Sequence, residues 1–600
     1  MDIFDVLTLL CGLALFLYGM DAMGDALKKS AGRRLGTILG HLTSNPGKGF
    51  LLGLGATAVI QSSSATTVMV VGFVSSGTML LRQAVSVIMG ANVGTAVTAW
   101  LTALNGIEGG GGALAGLAWL KPDAWMPILA LIGISLILFS KKSRGKDIGA
   151  ILMGFAVLMV GMDLMSGAVS GLRGDPRFTS LLTAFKNPVS GVLAGTVLTA
   201  VIQSSSASVG ILQALSSTGA ISFAAAIPII MGQNIGTCVT AMISSAGAGK
   251  NGKRAAWVHL YFNVIGVAVW LGLYYLIGWL LSATATFDLF GLAEETAINM
   301  WGIAAVHTIF KILSVVLLFP ASGLLEKLAV STVRGDDKRG DRYTDMLDDR
   351  LLDTPAVAAE RGRAVSAQMA ALSDRCLRRS IEMLHAYDGK AAQEVRDDEA
   401  SVDLYEDALG SYLVKLASQS MDARDSREVT RLLHVIGDLE RISDHAVNLL
   451  ESAEEMRDKG ISFSPEAAAE LNVLYAAVTE IVGITADSLT RADPEAAARV
   501  EPLEQTIDGL CGEIKSRHIR RLTHSACTVE HGFILSDILT NLERVSDHCS
   551  NVAGCLLAMT QNDALDLHGY LRRVKAGEMG FEGLFREYRE KYALPPDAEG

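Results

Sequence analysis

Four short motifs recur in this chain at one fixed offset, and any fold proposed for it must accommodate that duplication. Gly-Met-Asp at 19–21 returns at 161–163, and Asn45-Pro46 returns as Asn187-Pro188. Gln61-Ser62-Ser63-Ser64-Ala65 returns as Gln203-Ser204-Ser205-Ser206-Ala207. Met89-Gly90-x-Asn92-x-Gly94-Thr95 returns as Met231-Gly232-x-Asn234-x-Gly236-Thr237. Every pair is 142 residues apart with no gap, which identifies a duplicated structural unit.

The duplicated region is built from long apolar runs. A helix needs about 20 apolar residues to cross the hydrocarbon, and 5–26, 83–104, 124–140, 147–169, 222–245, 256–281 and 299–320 qualify. The stretches around the two QSSS motifs, 46–78 and 188–219, suit hairpins of two half-helices that enter and leave on one side. Each unit then has an odd number of full crossings, so the second copy lies inverted relative to the first.

Charge supports the same layout. Residues 1–320 hold 18 Lys and Arg against 12 Asp and Glu, whereas 321–600 hold the other 33 basic and 51 acidic residues. With the N-terminus outside, the basic clusters Lys28/Lys29/Arg33/Arg34/Lys48, Lys141/Lys142/Arg144/Lys146 and Lys250/Lys253/Arg254 all fall on one face, the cytoplasmic one by the positive-inside rule. That face also receives the acidic C-terminal part, whose charge argues against a nucleic-acid partner. The acidic start MDIFD lacks the basic region of a signal peptide and reads as a retained first helix. Seven cysteines form no C-x-x-C pair, which fits a reducing compartment. The expected location is the plasma (inner) membrane.

Polar residues at membrane depth persist only where they line a protein-buried cavity. Inverted repeats with discontinuous helices meeting near the midplane are the plan of secondary transporters. Hydroxyls and N–H groups at half-helix N-termini bind anions without a formal positive charge, and amide and hydroxyl oxygens suit Na+. Paired intramembrane carboxylates, the usual mark of a proton relay, are missing; the Asp of each Gly-Met-Asp lies near a helix end. The paired glycines of Gly-x-Asn-x-Gly-Thr predict a second helix break in each repeat. One Ser-rich patch would be read as close helix packing. Two identical patches, each followed by the same break, point to a binding site for an oxyanion moved with Na+.

QSSSATT, QSSSAS, GANVGTAVTA and GQNIGTCVTA resemble the duplicated signature of the sodium–phosphate cotransporter family, type II class. Ala255-Ala256-x-x-His259-x-x-Phe262-Asn263 and Ala304-Ala305-x-His307-Thr308-x-Phe310 resemble its later helices, with Lys311 standing where an Asn is the usual match. The resemblance implies Na+-coupled phosphate movement. It places Ser62, Ser63, Ser64, Ser204, Ser205 and Ser206 at phosphate. Gln61, Gln203, Asn92, Asn234, Thr95 and Thr237 are candidate ligands for Na+ or phosphate and, with Thr66 and Ser208, make up the expected sodium set. Export of phosphate and membrane-bound phosphate sensing are the alternatives. No Walker loop, nucleophile elbow or His-Glu-x-x-His marks an enzyme.

From about 357 the apolar spacing is helical, with helices at 357–387, 390–418, 424–457, 466–490, 494–521 and 527–560. A second duplication runs through them at an offset of 103: Leu439-Glu440-Arg441-Ile442-Ser443-Asp444-His445-x-x-Asn448 and Leu542-Glu543-Arg544-Val545-Ser546-Asp547-His548-x-x-Asn551. Glu440/Asp444, Glu399/Asp403, Glu504/Asp508 and Glu543/Asp547 are carboxylate pairs four apart. Such pairs repel on one helix but form metal sites when helices of a bundle bring them together; a solvated acidic face is the other reading. The pattern resembles PhoU, a phosphate-regulatory protein of two three-helix repeats whose carboxylate pairs hold metal clusters. This implies a divalent or iron-type metal, a regulatory role and homo-oligomerisation through this domain. His445 and His548 read as metal ligands or interhelical hydrogen-bonders.

The chain is therefore expected to be all-α: a polytopic membrane transporter with inverted repeats and re-entrant helical hairpins, plus a soluble helical domain of two three-helix repeats. The expected boundaries are 1–325 for the transporter (repeats 5–140 and 147–282, last helix 299–320), 326–356 for a connector, 357–562 for the PhoU-like domain and 563–600 for a tail.

Overall fold

A computed structural model of the chain describes residues 3–41, 45–75, 79–106, 122–172, 184–283, 295–335, 347–352, 354–419, 423–524, 527–558 and 581–596, with positions 178, 180, 292, 293 and 421. Side chains at 30–41, 122–124, 143, 423 and 558 lie outside this description, as do Arg33 and Arg34 of the first basic cluster. The chain forms two compact units, Met1–Thr354 and Pro355–Gly600. No β-strand occurs among the described residues, only an isolated bridge between Ser222 and Ala297.

In the first unit, α1 (Ile3–His41), α2 (Pro46–Ile60), α3 (Ser63–Ser75), α4 (Leu81–Gly94), α5 (Ala96–Ala103) and α6 (Pro122–Phe139) make one repeat. The second comprises α7 (Ser143–Val169), α8 (Pro188–Ile202), α9 (Ser205–Ser216), α10 (Phe223–Gly236), α11 (Cys238–Ser244) and α12 (Lys250–Ala283). The last two helices of the unit are α13 (Met300–Leu318) and α14 (Ser322–Thr332). Six of its helical spans, Ile3–Lys29, Leu81–Gly106, Arg144–Leu172, Phe223–Gly247, Lys250–Ala283 and Met300–Leu318, are long and apolar enough to cross a membrane. Large apolar side chains such as Phe139, Val189, Leu193 and Val201 stand exposed on it, as lipid requires.

The inversion of the repeats is visible where their first helices meet. A Cβ on Gly19 would lie 2.3 Å from the Leu158 backbone nitrogen, and one on Gly161 would lie 2.4 Å from that of Phe16. Gly12 abuts the Gly161 carbonyl and Gly154 the Gly19 carbonyl, so α1 and α7 run antiparallel. Gly154 and Gly161 are Gly12 and Gly19 carried forward by the repeat offset. Only glycine lets two helix backbones approach this closely.

Each hairpin starts from the Asn-Pro pair. The Asn45 carboxamide oxygen accepts from the Gly47 N–H at 2.8 Å and that of Asn187 from the Val189 N–H at 2.9 Å, with Pro at the first helical position. α2 and α8 have 15 residues each, about 22 Å at 1.5 Å per residue, too short to cross about 30 Å of hydrocarbon. Both end at a glutamine in the left-handed region, Gln61 at φ 59° and Gln203 at φ 58°, and the chain reverses into α3 and α9.

The expected unwinding at Gly-x-Asn-x-Gly-Thr is corrected by the structure. The interruption is one residue, and Thr95 and Thr237 keep right-handed helical angles. The glycines instead seat α4 on α2 and α10 on α8. A Cβ on Gly90 would meet the Phe50 carbonyl at 1.9 Å, and one on Gly232 the Val192 carbonyl at 2.0 Å. The expected connector also begins as helix: α14 packs on α12, where Tyr261 meets Thr332 at 2.6 Å and the Arg254 guanidinium donates to the carbonyls of Val333 and Gly335.

The second unit contains α15 (Pro355–His385), α16 (Gly389–Ala417) and α17 (Ala423–Lys459), then α18 (Pro465–Arg491), α19 (Pro494–Ala497), α20 (Val500–Thr523) and α21 (Val529–Ala558). The first three form one bundle, the others a second, and α17 packs on α21 to join them. Pro465–Arg491 is apolar enough to pass as a span, but its buried face, Leu471, Leu474, Val478 and Ile481, packs inside this bundle. The expected tail carries α22 (Phe581–Lys591), which docks on α20. Tyr588 is buried, the Tyr592 hydroxyl donates to Glu480, and Arg517 donates to the Pro595 carbonyl at 2.7 Å.

Candidate functional site

The two QSSS turns open onto one cavity of about 290 Å³, lined by Gln61, Ser62, Ser63, Ser64, Gln203, Ser204, Ser205 and Ser206. Residues 142 apart in sequence thus converge. Ser62 and Ser204 cap the helices that follow: their hydroxyl oxygens accept from the N–H of Ala65 at 3.1 Å and of Ala207 at 3.2 Å. Their carbonyls accept from the N–H groups of Thr66 and Ser208. The N–H groups of Ser63, Ser64, Ser205 and Ser206 belong to first turns, which have no intrahelical acceptor. Two helix N-termini, each with a partial positive charge, therefore end at the same space.

The turns are braced from behind by residues that sequence reasoning did not select. The Thr57 hydroxyl donates to Thr66 Oγ1 at 3.1 Å, and the Thr199 hydroxyl to Ser208 Oγ at 2.8 Å, one bond per repeat at the same offset. Thr57 and Thr199 could have been found by the repeat alone. Fully buried Gln213 has no such signal: its carboxamide accepts from the Thr102 hydroxyl and donates to the carbonyls of Ala99 and Met300. Asp21 of the first Gly-Met-Asp and Lys28, paired with Asp25 at 3.1 Å, complete the charged lining.

The two glutamines that line the cavity and the remaining candidates are treated differently by the two repeats. Buried Gln61 accepts from the Thr98 hydroxyl at 2.8 Å, whereas Gln203 is exposed. Asn92 and Asn234 donate to the carbonyls of Ile88 and Ile230. Thr95 donates to the Asn92 carbonyl and accepts from the Lys311 ammonium, while Thr237 donates to the Gln233 carbonyl. Gln233 itself donates to the Ser208 carbonyl at 3.0 Å, and its own carboxamide oxygen is buried with no partner. An orphaned buried oxygen, on a residue whose amide nitrogen donates to the Ser208 carbonyl and whose own carbonyl accepts from the Thr237 hydroxyl, is a candidate cation acceptor. Gln233 carries no repeat signal in the sequence, because the first repeat has Ala91 at the matching place.

In the second unit, Glu399, Asp403 and Asp444 offer oxygens within 4.8 Å of one another, as do Glu504, Asp508 and Asp547. Glu440 and Glu543 stand outside these triplets. Burial, with Asp403 and Asp444 adding their charges, pushes the Glu399 carboxyl up. Burial, then Asp444 and Asp407, do the same to Asp403. Glu440 is pushed up to about 7 by burial first and then by Asp444. A carboxylate set that resists ionisation, first through burial and then because its members face each other, fits a bound cation. The histidines are interhelical hydrogen-bonders: His445 Nδ1 meets Asn541 Oδ1 at 2.8 Å and His548 Nδ1 meets Asp438 Oδ1 at 2.9 Å. Their rings stack at 5.6 Å across the α17–α21 junction.

Residues 15–167 and again 157–292 match the family model for Na+/Pi-cotransporter, and 367–453 and 471–556 match that for the PhoU domain. Similar proteins include the "Putative inorganic phosphate export protein YjbB" of Salmonella typhimurium, 23% identical over 567 residues, which cover 93% of this chain and 98% of that one. "Uncharacterized protein YqeW" of Bacillus subtilis is 29% identical over 317 residues, 52% of this chain and 93% of its own. "Sodium-dependent phosphate transport protein 2A" of Mus musculus is 25% identical over 382 residues, 44% of this chain and 60% of its own.

Proposed function

We propose that this chain, an integral membrane member of the Na+/Pi-cotransporter family with two PhoU domains in its C-terminal part, carries inorganic phosphate by alternating access coupled to Na+. The observation that carries the reading is the single cavity at which both QSSS turns end. Phosphate offers acceptor oxygens on all sides. The hydroxyls of Ser62, Ser63, Ser64, Ser204, Ser205 and Ser206 and the first-turn N–H groups are donors, and charge-assisted bonds of this kind are short and strong. No cation need sit at the centre, because two helix dipoles face it; Lys28 adds positive charge at the lining.

The Na+ ligands come from Gln61, Gln203, Asn92, Asn234, Thr95, Thr237, Thr66 and Ser208. Gln233 joins them on the strength of its unpartnered oxygen. Since Thr66 and Ser208 also take the carbonyls of Ser62 and Ser204 through their N–H groups, an ion held there would fix the turns that bind phosphate. The same carrier runs outward when gradients reverse, and the export function in the name of a relative spanning nearly the whole chain favours that direction. The N-terminus is outside and the PhoU domains are cytoplasmic. There the two carboxylate triplets hold divalent or iron-type metal and adjust transport, with homo-oligomerisation through these domains. Equilibrium binding of [32P]phosphate to purified protein tests the site. Ser63→Ala and Ser205→Ala should each weaken it by on the order of tenfold, the loss of about one charge-assisted hydrogen bond. Unchanged binding in both would remove the serines from the site.

A further inference from the structure

Lys311 is a basic side chain in the middle of a membrane-spanning helix, only 3% exposed, and no carboxylate pairs with it among the described residues. The sequences of α4, α5, α9, α10 and α12, the helices packed against α13, contain no Asp or Glu, and neither does α13 itself. Its titratable neighbours are a thiol and two imidazoles, Cys238, His259 and His307. A side chain so deeply enclosed cannot snorkel to the interface. An uncompensated intramembrane charge is costly and is retained where it serves the transported ion.

Its hydrogen-bond acceptor among the described residues is informative. The ammonium donates to Thr95 Oγ1, whose own proton goes to the Asn92 carbonyl, so Lys311 ends on the first repeat's Gly-x-Asn-x-Gly-Thr segment. The second repeat shows the opposite arrangement. No side-chain cation contacts Thr237 among the described residues, and the Gln233 oxygen on that segment is buried and unpartnered. One copy presents a positive charge, and the other presents an oxygen with nothing to hold.

We propose that Lys311 is a tethered substitute for a coupling cation: its ammonium occupies the ion position of the first repeat, at Thr95, so that only the second repeat's position, at Gln233 and Thr237, is open to Na+. The inference rests on the Na+-coupled reading above and alters it, removing the first repeat's Gln61, Thr66, Asn92 and Thr95 from the sodium set and lowering the number of Na+ carried with each phosphate by one. A primary ammonium and Na+ are both compact monovalent cations that seek oxygen. The substitution therefore replaces a mobile cation at the site with one tethered to the protein.

The test is 22Na+ bound per chain in the full-length purified protein, together with the Na+ dependence of phosphate flux in proteoliposomes. Lys311→Asn and Lys311→Gln supply a neutral carboxamide oxygen and should each bind one more Na+ per chain than wild type. The Hill slope for Na+ activation should rise by about one. Lys311→Arg, which keeps the charge, should bind the wild-type number, and a gain there would count against the idea. An unchanged Na+ count in folded Lys311→Asn or Lys311→Gln overturns it. Should neither neutral variant fold, Gln233→Leu decides. It should abolish the Na+ binding of the wild-type chain, and undiminished binding would show that the first repeat takes Na+ after all. A wild-type protein that neither binds nor uses Na+ would sink the coupling reading instead, and a gain of Na+ in Lys311→Asn would still be read independently.

Discussion

Replacing Gly232 with alanine adds one methyl group, and the structure states where it must go. The new Cβ would sit 2.0 Å from the Val192 carbonyl oxygen, with further backbone atoms of the same residue at 2.8 and 2.9 Å. Ordinary contact begins at 3.4 Å, so α10 and α8 must part by about 1.4 Å. Overpacking of this kind costs about 1–3 kcal/mol, and no rotamer relieves it because both partners are backbone. The α8 helix carries Gln203 at its end, so its displacement moves the second QSSS turn relative to the first. Misplacement by about 1 Å costs on the order of 100-fold where geometry decides the rate. The two explanations of this glycine give opposite signs. If it served to loosen the helix, alanine would stabilise by roughly 0.8–1.0 kcal/mol and flux would change little. Melting temperature in detergent and [32P]phosphate flux in proteoliposomes are the assays, with Gly55→Ala as control, since a Cβ there meets nothing within 4 Å. A Gly232→Ala protein as stable and as active as wild type would refute the packing argument.

Three further outcomes are expected. Glu440 titrates at about 7 in the folded domain against 4.5 unfolded. Its contribution to stability is therefore full below pH 4.5 and lost as pH rises through 7. The triplet members Glu399 and Asp403 are likewise pushed up, by burial first and then by their carboxylate neighbours, so added Mn2+ should raise the melting temperature at pH 8 and much less at pH 5, and equal shifts at both would count against a carboxylate site. Asp438 accepts from Asn551 and meets His548, while its copy in the other repeat is Asn541, which serves His445 and Asn448 alike. Asp438→Asn should be tolerated and Asp438→Leu should cost about 1–3 kcal/mol, read by chemical denaturation; equal costs would dismiss the network. Tyr588→Ala opens a cavity under α22 worth roughly 3–5 kcal/mol by the pattern of large aromatic truncations. Hydrogen exchange across 581–591 should rise sharply, and unchanged protection there would show that α22 is held by its other contacts.

The sequence made the architecture legible wherever a physical rule has one solution. A gapless repeat around an odd number of crossings admits only inversion, and an apolar stretch interrupted by QSSS suits a hairpin of two half-helices. It was less informative where one residue type serves two purposes. Gly90 and Gly232 satisfy both helix breaking and close backbone contact, and only the distance to Phe50 and Val192 separates them. Gln61 and Gln203 sit in the left-handed region, which nothing intrinsic to glutamine predicts. The bracing pair Thr57 and Thr199 reads as ordinary small-residue packing until its hydrogen bonds are seen. The expected connector begins at 326, inside the helix Ser322–Thr332, although SGLLEKLAVST has helical spacing of its own. Asymmetry between the copies was the hardest to read. Gln213, Gln233 and Lys311 carry no repeat partner, and so a search guided by duplication passes over them.

The central claim is that two inverted hairpins close on one phosphate whose passage is tied to Na+. Phosphate flux into proteoliposomes made from the full chain tests it most directly, compared with and without an inward Na+ gradient. The account predicts accumulation that follows the Na+ gradient, reverses when the gradient is reversed, and collapses in Ser63→Ala and Ser205→Ala. Phosphate movement indifferent to Na+, or undiminished in both serine variants, would contradict it.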